Sequence, residues 1–82
     1  MSSVPRDAGY YHPTGHAKQR RKYRDIDWEF VALTIEEGEV RKSHKTNCRV
    51  FRKEFQTVDP VKVIANIETG EIVTVCWDYN ND

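Results

Sequence analysis

Cysteine, glycine and long apolar runs are all scarce in this chain, and each scarcity removes a class of protein. The two cysteines, Cys48 and Cys76, have no Cys-x-x-Cys spacing and fall inside apparent strands. They read as small free hydrophobes rather than a disulfide framework, so a reducing, cytoplasmic location is expected. No run is long enough to span a bilayer and no apolar leader follows Met1, so no membrane role is expected. Neither a glycine-rich phosphate loop nor a Gly-x-Ser-x-Gly elbow occurs, which sets aside nucleotide hydrolysis and serine-triad chemistry. No cofactor is expected.

Net charge is missing too, because 13 Lys and Arg balance 13 Asp and Glu. The signs are nevertheless segregated. Residues 1–24 hold six bases against Asp7, and residues 25–39 hold six acids and no base. Residues 40–56 return to six bases against Glu54, and residues 57–82 are acidic apart from Lys62. Basic blocks brought together by folding concentrate a polyanion despite overall neutrality.

What is present suffices for one small domain and not for two separate cores. Residues 1–13 contain Pro5, Gly9 and Pro13 and read as a flexible arm, ending in a short extended piece before Pro13. Residues 14–79 are the expected domain and 80–82 a tail. Thr14 is a suitable N-cap for a helix over 15–23. A second helix follows, with Asp27 as its cap, Ile26 and Val31 as a hydrophobic staple, and Gly38 as a left-handed terminating residue. Period-two alternation then predicts strands at 39–44, 48–55, 61–68 and 71–77, with Glu68-Thr69-Gly70-Glu71 as a hairpin turn. Two helices are the only cover for the apolar sheet face. The expected fold is therefore α+β, with two N-terminal helices on a four-stranded antiparallel meander and room for a short N-terminal edge strand.

The first helix, His16-Ala17-Lys18-Gln19-Arg20-Arg21-Lys22-Tyr23 and then Arg24, carries the chemical signal. At 100° per residue His16, Arg20, Tyr23 and Arg24 share a side where a purely structural helix would put aliphatic residues. That side is expected to line a shallow anionic site for RNA phosphate. Metal-free RNA cleavage needs proton transfer at the 2′-hydroxyl and at the leaving 5′-oxygen, plus cations for the phosphoryl oxygens. His16 is the candidate acid or base, and Arg20 and Arg24 are the candidate phosphate clamps. Arg49 and Lys53 are candidates to orient the RNA backbone, Arg41 belongs to the basic sheet surface, and Tyr23 or Tyr79 can stack on a base. The plainer reading pairs Arg20 and Arg24 with the acidic second helix. Zinc is set aside and no metal site is expected: Pro13 and Gly15 interrupt His12 and His16, while His44 and Cys48 flank a turn. Trp28, Phe30, Phe51 and Phe55 read as core aromatics.

On His16-Ala17, Arg20, Arg24 followed by Ile26, Gly38-Glu39-Val40 and the run from Glu68 through Val75, the chain resembles a family of small domains, domain of unknown function 4258. The resemblance covers about residues 14–77. That family looks related to compact metal-independent RNases and RNase-like toxins of the RelE type. What the resemblance implies is a RelE-like fold and an RNA-binding protein with metal-independent endoribonuclease activity. It also implies RNA partners, ribosome-associated ones included, and a small acidic antitoxin-like protein partner. The alternative is a non-catalytic RNA- or protein-interaction module using the same basic groove.

Overall fold

A computed structural model describes residues 4–78. Two helices, α1 (Gly15–Tyr23) and α2 (Trp28–Glu37), lie on a five-stranded open sheet. Its strands are β1 (His12–Pro13), β2 (Glu39–Lys42), β3 (Cys48–Lys53), β4 (Val61–Asn66) and β5 (Glu71–Trp77), in the order β1-β5-β4-β3-β2. Strands β2 to β5 run antiparallel in succession, whereas β1 pairs with β5 in parallel. The sheet is thus mixed, and the expectation of four antiparallel strands is corrected by the short extended piece before Thr14. The amide of His12 donates to Gly70 O at 2.8 Å and that of Thr14 to Ile72 O at 3.2 Å, which fixes the start of α1 beside β5.

Alternation along β4 behaves as the sequence predicts, with Val61, Val63 and Ala65 fully buried. In β5 the buried residues are Ile72 and Val75, three apart, because the pairing slips between Ile64↔Thr74 and Ala65↔Ile72. Val73 is the extra residue of this bulge, which explains why the two faces of β5 look equally apolar in sequence. Phe51 of β3 lies opposite Val63 and packs edge-on to Tyr11 at 5.7 Å.

The staple holds, since Ile26 and Val31 are both in the core. Two capping expectations are corrected. Asp27 occupies the N-cap without a side-chain hydrogen bond, and Gly38 has φ −77°, outside the left-handed region. Gly38 is instead required by close approach: a Cβ there would lie 2.5 Å from Thr34 O and 2.6 Å from Arg52 O, both backbone atoms. The left-handed glycine is Gly70, with φ 82°, in the β4–β5 turn.

Residues 4–11, expected within a flexible arm, are packed on the domain. Tyr11 is 4 % exposed and its hydroxyl donates to Pro5 O at 2.7 Å, while Arg6 donates from Nε to Ile35 O at 2.8 Å and from Nη2 to Gly38 O. Burial pushes the Tyr11 phenol up to about 12, with a smaller push from Tyr10 and an opposing pull from Arg6.

Candidate nucleic-acid interface

Helix α1 begins where Thr14 accepts from the Ala17 amide at 3.2 Å while its hydroxyl donates to Ile72 O at 2.9 Å. One side chain thus caps the helix and ties it to β5. The helix ends in a Schellman pattern: Ile26 N–H donates to Arg21 O at 3.0 Å and Asp25 N–H to Lys22 O at 3.2 Å. Asp25 takes the left-handed position, with φ 56°, that glycine usually fills. The end itself falls where the sequence predicts, after residue 23, but the left-handed role of Asp25 carries no distinctive signal, because Asp is only an occasional left-handed residue.

Between these ends Ala17 alone is fully buried, with Arg21 and Arg24 half-buried beside it. A small residue lets the helix backbone approach the sheet, and long guanidinium stems fill the flanks. The inward side is therefore Ala17, Arg21 and Arg24, not the expected His16, Arg20, Tyr23 and Arg24. His16 and Arg20 are exposed, and Tyr23 is 84 % exposed. Arg24 turns away from solvent, donating from Nη1 to Val75 O at 2.7 Å, while Trp77 Nε1 donates to Arg24 O at 2.7 Å. These two bonds lie where β5 runs beyond β1, and they close an otherwise open strand edge. The candidate clamp Arg24 is a structural staple in this arrangement.

The remaining cations of α1 keep their charge available. Among the described residues none of Lys18, Arg20, Arg21 and Lys22 forms an ion pair with a carboxylate. The expected pairing of Arg20 and Arg24 with the acidic α2 is absent. Arg20 Nε donates to His16 Nε2 at 3.3 Å, so this imidazole nitrogen is an acceptor next to a guanidinium. Arg21 is oriented by donating from Nη1 to Ile26 O at 3.0 Å. On the flank of α1 away from His16, Lys18, Arg21 and Lys22 line a shallow cleft with Pro13 and Trp28. Trp28, expected in the core, is 37 % exposed. It stands at the first position of α2, directly after the Asp27 N-cap.

The sheet cations do not join this surface. Strand β3 is separated from β5 by β4, and α2 lies over β3 and β4, so the cations of α1 stay apart from those of β3. Arg41 pairs with Glu39 at 3.3 Å and Lys53 with Glu37 at 3.3 Å. Arg49 folds onto the carbonyls of Thr46 and Cys48, at 2.8 and 2.9 Å. Arg52 is held by Asp78 at 2.7 Å and Glu54 at 3.2 Å, and these bonds raise its guanidinium above its ordinary value. Lys42 and Lys45 form no ion pair among the described residues, but they sit at the β2 edge, across the sheet from α1. Tyr79 lies outside the described residues. Among the described residues no group of three or more His, Cys, Asp or Glu side chains is placed to hold a metal ion. No helix among them is long and apolar enough to cross a membrane.

Comparison with family models, with curated proteins and with solved structures found no match to this chain.

Proposed function

We propose that this protein binds RNA through the exposed surface of α1. One observation carries the reading: four neighbouring cations, Lys18, Arg20, Arg21 and Lys22, stand on one short helix with no carboxylate partner among the described residues. Acids three or four residues from these bases would stabilise the helix and neutralise its charge. Here the acids lie in other segments, and the helix presents positive charge beside an open phenol at Tyr23. Phosphate contacts supply affinity, and Tyr23 offers a ring for stacking. The likeness of His16-Ala17, Arg20 and the closing Gly38-Glu39-Val40 to domain of unknown function 4258, and through it to RelE-like RNases, favours RNA over other polyanions. Ribosome-associated RNA and a small acidic antitoxin-like protein are the partners that reading brings with it.

The experiment is a titration of labelled RNA at increasing salt. Three phosphate contacts from α1 give a slope of roughly −2 in log K against log salt for a single strand. A flat dependence, or no association at low salt, rejects the reading.

Endoribonuclease activity is the second reading, favoured by the 3.3 Å approach of Arg20 Nε to His16 Nε2. In it the imidazole takes the 2′-hydroxyl proton as the 2′-oxygen bonds to phosphorus, the P–O5′ bond breaks with the 5′-oxygen taking a proton from water, and Arg20 turns to the phosphoryl oxygens. Chelator-resistant cleavage lost in His16→Ala and in Arg20→Ala supports it. Intact RNA after prolonged incubation leaves the non-catalytic module.

A further inference from the structure

Resting on the RNA reading, we propose that the cleft between α1 and the start of α2 seats one unpaired nucleobase, so that the protein selects single-stranded RNA over duplex. The cleft holds about 330 Å³ and is lined by Pro13, Lys18, Arg21, Lys22 and Trp28. That is the small end of ligand-pocket sizes, suited to a nucleotide-sized group rather than a longer segment. Its lining combines an indole and a pyrrolidine ring with three cationic side chains. An aromatic base flanked by phosphates has the complementary chemistry: a π-face for the indole and anionic oxygens for the cations.

The position of Trp28 strengthens the assignment. Val31 and Ile35, three and seven residues on, share its side of α2 and are fully buried. The core thus closes without the indole. Elsewhere in the molecule cations cover aromatic rings, with Lys53 over Phe55 at 5.6 Å and Arg6 over Phe51 at 6.0 Å. Among the described residues no cation lies over Trp28, although three line its cleft. Arg21 is oriented instead by its bond to Ile26 O at 3.0 Å.

The test compares wild type, Trp28→Ala and Trp28→Tyr for binding to a short oligoadenylate, an abasic ribose-phosphate oligomer of equal length, and an RNA duplex, at about 50 mM salt. The expected result is preference for the oligoadenylate over both other probes, a loss of about tenfold in Trp28→Ala for the oligoadenylate alone, and near-complete rescue in Trp28→Tyr. The salt slope stays unchanged in both variants. Equal binding of oligoadenylate and abasic oligomer by wild type overturns the base seat and leaves phosphate binding standing; this arm needs no variant to fold. A loss in Trp28→Ala that is equal for all three probes overturns the seat as well. Failure of wild type to bind any probe at low salt overturns the RNA reading itself.

Discussion

The two basic blocks of this chain have the same number of Lys and Arg in sequence and opposite fates in the fold. In the second, Arg41, Arg52 and Lys53 meet carboxylates and Arg49 meets carbonyls, so much of its charge is spent on holding strands and turns together. In the first, Arg6 and Arg24 are likewise structural and Arg21 donates to Ile26 O, but Lys18, Arg20 and Lys22 meet neither acids nor backbone carbonyls among the described residues. The difference comes from topology. A strand pair places cross-strand and same-strand neighbours within reach of many long side chains, though not of Lys42 and Lys45 at the β2 edge, whereas a helix with one buried alanine leaves most of its circumference to solvent. Local charge density in a sequence therefore says little about availability; the secondary structure that carries it decides.

The strongest way to break this contrast is to neutralise each block in turn. Lys18→Gln, Arg20→Gln and Lys22→Gln together are expected to weaken RNA binding on the order of 100-fold at low salt and to flatten the salt slope by roughly 2. Arg41→Gln, Arg49→Gln and Lys53→Gln together are expected to leave affinity nearly unchanged while lowering the melting temperature. Equal losses of affinity from the two triples, read by anisotropy, would dissolve the distinction.

Alkaline pH separates the docked segment of the first block from its free helix. With its folded-state value pushed from 10.0 to about 12, Tyr11 favours the folded state fully below pH 10, and that stability is lost as pH rises towards 12. The shift corresponds to about 2–3 kcal/mol at most. Tyr11→Phe, which cannot ionise, is expected to flatten this alkaline loss in denaturant melts run between those pH values. A wild type and variant that decline in parallel would show that Tyr11 ionises freely in the folded state.

Arg20 in α1 and Arg24 at its C-cap are one turn apart and make the sharpest pair. Arg24→Ala removes the donor to Val75 O and is expected to cost about 1–2 kcal/mol of stability with little change in RNA affinity. Arg20→Ala is expected to do the reverse, with stability within about 0.5 kcal/mol of wild type and weaker binding. If Arg24→Ala lost affinity at unchanged stability, the clamp role read from the sequence would be restored.

How much of this was legible beforehand follows the same division. Both helices, the N-cap at Thr14, the staple of Ile26 and Val31, and the faces of β4 are written in short-range patterns, and each was readable. The bulge at Val73 was not, because a single extra residue erases alternation without leaving a distinctive residue type. Nor was the facing of α1. Its buried side is one alanine and two arginine stems, a pattern that hydrophobic periodicity cannot weight. The partial exposure of Trp28 was hidden for a related reason: its spacing to Val31 and Ile35 is that of a core residue, and periodicity does not tell the first position of a helix from its interior. Whether Arg49 and Lys53 share a surface with His16 and Arg20 was left open by the sequence, because strand order decides it and no local pattern encodes strand order.

The smallest expected effect tests the turn that aims α1. Asp25 holds φ 56° where an L-residue pays about 1 kcal/mol and glycine pays nothing sterically. Its carboxylate also stands just past the C-terminus of α1, the negative end of the helix dipole. Asp25→Gly relieves both, against the extra chain entropy glycine brings to the unfolded state. The net is expected to be a gain of about 0.5 kcal/mol, read as a rise of a few degrees in melting temperature. Asp25→Val, whose branched Cβ resists the left-handed region, is expected to lower it by a larger amount. Because Ile26 N–H and Asp25 N–H close onto Arg21 O and Lys22 O through this turn, Asp25→Val is also expected to weaken RNA binding by loosening the end of α1 that carries Arg21 and Lys22. Unchanged affinity in Asp25→Val at reduced stability would show that the cationic surface does not depend on how the helix is terminated.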